Sequence, residues 1–264
     1  MRRVRKIRKT VKVIVPNDAT VTRESRISRG KVRDNIVKKV VSPAQINPKT
    51  GKPRHTPYHT PKTFKKVKPI WKGETVYLIG GGPSLKGFEW NRLKDKKTIA
   101  INKAVKFWPN ADVMYWTDGR VWTWLEEDIK NYKGLKFTIA PRRYPDDVHL
   151  LRRGKKYGIE TSPDCIAHSN NSGGAAINLA IHLGAKRIVL LGYDMGNDGR
   201  VSHFHDGYPS NATGENIYKN QFMPAFEAIK EHLKGKDIQI YNACPTSKLN
   251  TFKKITIDEA LSFR

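Results

Sequence analysis

From residue 71 onward, short apolar runs alternate with longer stretches in which apolar residues recur every three or four positions. The runs lie at 75–79, 98–101, 112–116, 136–140, 187–191 and 237–241. Several have no polar alternation; Ile188, Val189, Leu190 and Leu191 follow one another directly. Such a run predicts a strand buried on both faces. The intervening stretches predict helices near 84–94, 121–132, 172–184 and 218–234. In the third, Ala176, Leu179, Ala180 and Leu183 share one helical face. Doubly buried strands separated by helices predict a parallel sheet with crossover helices. Right-handed crossovers make this an α/β, Rossmann-like, doubly wound and mostly parallel sheet. No internal repeat is visible.

The pattern before residue 71 is different. A single strand is expected at 11–15. Residues 16–70 hold no sustained period and carry Pro43, Pro48, Pro53, Pro57 and Pro61 among Lys, Thr and His. They read as a largely irregular arm. The expected organisation is therefore a basic N-terminal arm, 1–70, and a Rossmann-like nucleotide-binding domain, 71–264.

Charge sharpens that division. The 264-residue chain has a formal net charge of +26. Residues 1–70 hold 21 Lys and Arg against three acidic residues, and the rest of the chain holds 29 against 21. So dense a one-signed segment predicts contact with a polyanion, and nucleic acid is the expected partner of residues 1–70. Cys165 and Cys244 supply neither a disulfide framework nor a metal-ligand spacing. No stretch reaches the length of an apolar membrane span, so membrane insertion is not expected. The basic start lacks the apolar core of a secretion signal. A cytoplasmic protein is expected, in the host cytoplasm if it is viral. The oligomeric state is not legible.

Ligands of doubly wound sheets sit beyond the carboxyl ends of the strands. The first run ends in Gly80, Gly81 and Gly82, followed by Pro83 and Ser84. Pro83 suits a first helical turn, and backbone amides there would face an anion such as a nucleotide phosphate. The next strands end in Asn102 and in Thr117 and Asp118. The later ones end in Gly192, Tyr193 and Asp194, and near Asn242 and Cys244. All are expected to face one crevice. A second glycine-rich element, Asn170-Asn-Ser-Gly-Gly-Ala-Ala176, opens a helix with Ser172 as its expected N-cap. The first element is neither Gly-x-Gly-x-x-Gly, because Leu85 takes the third glycine position, nor a P-loop. Asp194 and Asp198 suit a turn better than a metal site, so no metal ligands are assigned, although Mg²⁺ is compatible with them. Of Trp108, Tyr115, Trp116, Trp122 and Trp124, at least half are expected in the core; the others suit stacking of bases or sugars.

Leu78-Ile-Gly-Gly-Gly-Pro-Ser-Leu-Lys86 with Ile99-Ala-Ile-Asn102 resembles the start of the bacterial lipooligosaccharide sialyltransferases. Their second block is similar to the stretch from Ser172 to Asp194, and their C-terminal Cys-Pro-x-Ser segment to Cys244-Pro-Thr-Ser247. The same skeleton resembles the hydroxymethylpterin pyrophosphokinase-like group and many phage proteins. The resemblance implies that Gly80, Gly81, Gly82, Ser84 and Asn102 hold a nucleotide. It implies that Asn171, Ser172 and Gly173 lie against sugar and phosphate. A histidine before the last helix would be the general base. Ser202-His-Phe-His-Asp-Gly-Tyr208 occupies that place, with His205 expected as base, His203 next, and Asp206 orienting it. The family's tyrosines after the Gly-x-Asp turn are replaced by Met195 and Gly196; Tyr193, Arg200, Tyr208 and Tyr218 are the nearby substitutes.

These readings together predict a group transferase that uses a nucleotide-sugar donor as co-substrate and has no tightly bound cofactor. Glycosyl transfer on or near nucleic acid, such as phage DNA, unites the arm with the domain. The rival expectations are a pyrophosphokinase or nucleotidyl enzyme on the same fold, with Asp118, Asp194 and Asp198 on Mg²⁺, and a non-catalytic nucleic-acid-binding or virion-associated protein.

Overall fold

The computed structural model describes residues 64–196, 203–204 and 215–263, together with the backbone of 12–15, 19–22, 24–28 and 31–35. The chain divides into two compact units, Met1–Pro57 and Tyr58–Arg264. In the first, β1 (Lys12–Val15) pairs antiparallel with β2 (Ala19–Thr22), and β3 (Glu24–Ser28) with β4 (Lys31–Asn35). Only β1 was expected from the sequence. The other three hold few apolar residues in a highly charged stretch, which hides their pairing.

The second unit is built on β5 (Thr75–Ile79), β6 (Lys97–Ile101), β7 (Val113–Trp116), β8 (Leu135–Thr138) and β9 (Val148–Leu150). After the short parallel pair β10 (Arg152–Arg153) and β11 (Cys165–Ile166) come β12 (Arg187–Leu191), β13 (Gln239–Asn242) and β14 (Lys253–Lys254). The eight-stranded sheet has the order β14-β13-β12-β5-β6-β7-β8-β9, and every pairing is parallel. The fold is the expected α/β, Rossmann-like one. From β5 the chain winds outward through β6 to β9 and then returns to lay β12 on the other side of β5. The crevice between the ends of β5 and β12 is therefore the topological switch point. Both faces are buried, since Val76 and Leu78 enter one core and Tyr77 and Ile79 the other.

Residues just before Trp71 already belong to this unit. Val67 is buried, and the amides of Lys65 and Val67 bond to the carbonyls of Leu150 and Pro163.

The helices are α1 (Gly119–Trp124), α2 (Glu126–Asn131), α3 (Ser172–His182), α4 (Glu215–Ile217), α5 (Met223–His232) and α6 (Ile257–Leu261). Three expected helices are broken up. Near 84–94 there are only two 3₁₀ turns, Pro83–Leu85 and Trp90–Leu93, because Gly87 lies between them at φ +75°. The stretch 121–132 splits at buried Leu125, which leaves the helical conformation. In the last stretch a π turn, Tyr218–Phe222, joins α4 to α5. Pro224 at the start of α5 has no amide to donate backward, and the wider turn absorbs the missing bond. α3 is buried continuously from Gly174 to Ala180 and packs on β5, β6 and β7.

Candidate functional site

One crevice of about 430 Å³ lies at the carboxyl ends of β5, β6, β7 and β12. Its lining brings together Gly80, Gly81, Gly82, Asn102, Thr117, Asp118, Asn171, Ser172, Gly173, Asp194 and His203 from the expected residues. These positions span more than a hundred residues of sequence. Parallel strands that all point one way deliver them to a single edge. Asn242 and Cys244, expected at the same edge, are buried instead. The Asn242 amide donates to the Tyr193 carbonyl, so the end of β13 supports the crevice from behind. His205, Asp206, Asp198, Arg200 and Tyr208 lie outside the described residues.

The first glycine loop is held by protein rather than open to an anion along its length. The Gly80 amide donates to the Leu191 carbonyl at 2.8 Å and the Gly82 amide to the Gly192 carbonyl at 2.9 Å. Asp194 accepts from the Ser84 amide at 2.9 Å and from Ser84 Oγ at 2.8 Å. Ser84 thus buttresses the loop through Asp194, and it is not among the crevice lining. Glycine is needed at 82 because a Cβ there would come within 2.6 Å of the Gly192 carbonyl and overlap the Asp194 carboxylate. At Gly81 the close neighbour is His203, whose Cδ2 would lie 3.0 Å from a Cβ.

The loop after β12 is buttressed in turn by the Cys-Pro-x-Ser segment. Ser247 Oγ donates to the Tyr193 carbonyl at 2.6 Å, and the Lys248 amide donates to the Asp194 carbonyl at 2.8 Å. Tyr193 is buried and its hydroxyl donates to the Gly173 carbonyl at 3.2 Å. It packs where the α3 start comes close, and burial drives its pKa upward. Tyr193 is therefore a wall, and Tyr218 and Phe222 of the π turn also line the crevice.

Asn171, not Ser172, caps α3; its Oδ1 accepts from the Gly174 amide at 2.6 Å. Asn171 has the extended conformation of a cap (φ −151°), whereas Ser172 is already helical. That frees Ser172 Oγ for the crevice, where it lies 2.7 Å from Thr117 Oγ1 and 3.4 Å from Asn102 Oδ1. Asn102 sits at φ +53°, the left-handed region that asparagine tolerates better than most residues. Thr117, Ser172 and Asn102 thus form one polar array contributed by β7, α3 and β6. By helix geometry, the amides of Ser172 and Gly173 have no acceptor within α3.

Asp118 does not present a free carboxylate. It caps α1 and takes the backbone amide, Nε and Nη2 of Arg120, which holds its pKa below the usual carboxylate range. Asp194, the other aspartate of the crevice, is held by Ser84. Among the described residues no three metal-ligating side chains cluster. His203 is half-buried, and burial, followed by the charge of Lys103, lowers its pKa. A lowered pKa favours the neutral imidazole, the form able to take a proton.

The aromatic residues sort as expected. Trp108, Tyr115, Trp116 and Trp122 are buried, and Trp124 lines the crevice with Lys103 Nζ 5.0 Å and Arg120 Cζ 5.3 Å from its ring. Arg120, Met195, Gly196 and Phe222 also line the crevice, although the sequence does not mark them as site residues. The one available signal was the Asp-Gly-Arg turn after β7, which places an arginine beside a strand end.

Among the described residues no helix is long and apolar enough to cross a membrane. No protein-family model and no curated protein matches the chain. Among solved structures it is similar to the sialyltransferase CstII from Campylobacter jejuni in complex with a substrate analogue, cytidine-5'-monophosphate. The identity is 19%, the match covers 73% of this chain and 89% of that one, and the TM-score is 0.47.

Proposed function

We propose that this protein is a group transferase that binds a nucleotide-activated donor, most simply a nucleotide sugar, in the switch-point crevice. The observation that carries the reading is the convergence of residues 80–82, Asn102, Thr117, 171–173 and His203 on one cavity. In this reading the Asn102, Thr117 and Ser172 array fixes ribose or sugar hydroxyls. The donor phosphate lies at the start of α3, where the Ser172 and Gly173 amides and the helix dipole favour negative charge. Gly81 allows close approach from the other wall. His203 serves as general base toward the acceptor hydroxyl, a role that needs a neutral imidazole near pH 7.

The test is a panel of nucleoside phosphates and nucleotide sugars, read by thermal stabilisation and by donor turnover. At least one should stabilise the parent, and His203→Ala should retain that stabilisation while turnover falls by roughly 10²–10⁴. Full turnover in His203→Ala would remove the assigned base.

For the acceptor we propose nucleic acid, or a group attached to it. The support is the charge of residues 1–70, where 21 basic residues face three acidic ones. Neutralising phosphates releases counterions, so binding through this segment should weaken steeply with salt.

A further inference from the structure

Next to His203 in the chain, Phe204 packs against two aromatic side chains, one of which is backed by a third. Phe88 and Trp90 follow the first glycine loop, with ring centroids 5.1 Å apart and planes at 81°. Phe107 ends the 3₁₀ turn that begins at Asn102, and its centroid lies 6.2 Å from that of Trp90. Phe204 sits against both, 5.6 Å from Trp90 and 4.7 Å from Phe107, edge-on to the latter. The Phe204 amide donates to the Gly81 carbonyl at 3.0 Å. The residue just before it is His203, whose ring lies against Gly81 and lines the crevice.

These contacts seat the residue that follows His203. The notch is built from segments continuous with the crevice itself, since one side follows residues 80–82 and the other follows Asn102. A base held through such a notch keeps its register with the donor site. Loss of about an ångström in that register is costly for proton transfer. Phe88, Trp90 and Phe204 are half-buried against the core, whereas Phe107 remains 37% exposed.

We propose that Phe204 is a positioning residue of this site: its ring, seated between Trp90 and Phe107, and its amide on the Gly81 carbonyl hold the His203 imidazole in the crevice. The catalytic consequence rests on the reading of His203 as base, whereas the seating itself does not.

The experiment uses the full chain with Phe204→Ala, the conservative Phe204→Tyr, and Trp90→Ala from the other side of the notch. Three quantities are read: hydrogen exchange of the Phe204 amide, the NMR titration of His203, and donor turnover beside nucleotide-induced thermal stabilisation. In Phe204→Ala the amide should exchange at least about tenfold faster, and His203 should titrate closer to a free histidine. Turnover should fall at least about tenfold while nucleotide stabilisation is kept. Trp90→Ala should move the same readouts less, and Phe204→Tyr should stay near the parent. An unchanged exchange rate and titration in Phe204→Ala would overturn the proposal, whatever happens to turnover. If both shift but no form of the protein turns over any donor, the positioning role stands and the transferase reading fails.

Discussion

The pairing of Ser84 with Asp194 makes a sharp prediction, because it separates a structural carboxylate from a ligand-binding one. The two residues are 110 positions apart, and both carboxylate oxygens of Asp194 are taken by Ser84. Asp194→Ala deletes two hydrogen bonds to a charged acceptor and leaves the Ser84 amide without this partner. A bond to a charged group contributes about 1.5–3 kcal/mol when buried, and the partial exposure of this pair reduces the sum to roughly 2–3 kcal/mol. For a domain of this size that corresponds to a fall in Tm of roughly 4–12 °C. Asp194→Asn keeps one acceptor for the Ser84 amide, and the hydroxyl can turn to accept from the new amide. Its loss should be nearer 1 kcal/mol. Thermal melting of both variants, with and without the best nucleotide from the panel, is the assay. Asp194→Ala should melt early and respond weakly, because the loop holding residues 80–82 is unmoored. Asp194→Asn should respond almost as the parent does. If Asp194→Asn melts like the parent but loses the nucleotide response, Asp194 touches the ligand and the clamp argument is wrong.

Three further outcomes are expected. Gly81→Val should abolish the nucleotide response with little loss of stability, since the added carbons meet the His203 ring rather than the core; an unaltered response would mean that the Gly81–His203 contact is irrelevant to binding. Burial lowers the pKa of His149, His168, His182, His203 and His232 below the ordinary 6.5. The unfolded chain therefore binds more protons just below that value, so chemical denaturation should show stability falling as pH drops from 7 toward 5, and a flat or rising profile would refute the burial argument. Deleting residues 1–57 should leave a folded Rossmann unit and flatten the salt dependence of binding to labelled single-stranded and duplex DNA; an unchanged affinity and slope would assign the charge another purpose.

The parts of the fold visible in the sequence are those with one dominant physical signal. β5 and β12 are apolar on both faces, so their position was legible almost to the residue. The stretch 84–94 misleads because Leu85, Phe88 and Leu93 are spaced as on a helix, yet Gly87 at φ +75° breaks the segment into single turns. Edge strands such as β10 and β14 read as Arg-Arg and Lys-Lys and carry no apolar signal at all. The crevice residues were legible because topology sends the strand ends to one edge. Their division of labour was not. Nothing local distinguishes Ser84, which faces Asp194, from Ser172, which faces Thr117 and Asn102; only the fold brings each pair together. The cap lies one residue earlier, at Asn171 rather than Ser172, for the same reason: both are good caps, and only the fold shows that Ser172 Oγ meets Thr117 and Asn102 instead.

In the proposed function the switch-point crevice holds a nucleotide-linked donor beside His203. The most direct measurement is an amide and imidazole NMR footprint of the full chain titrated with the nucleotide or nucleotide sugar that stabilises it most. The largest shifts should fall on residues 80–82, Asn102, Thr117 and 171–173 and on the His203 ring, all saturating with one affinity. A footprint elsewhere on the protein, or no member of the panel that perturbs these residues, would contradict the proposed function.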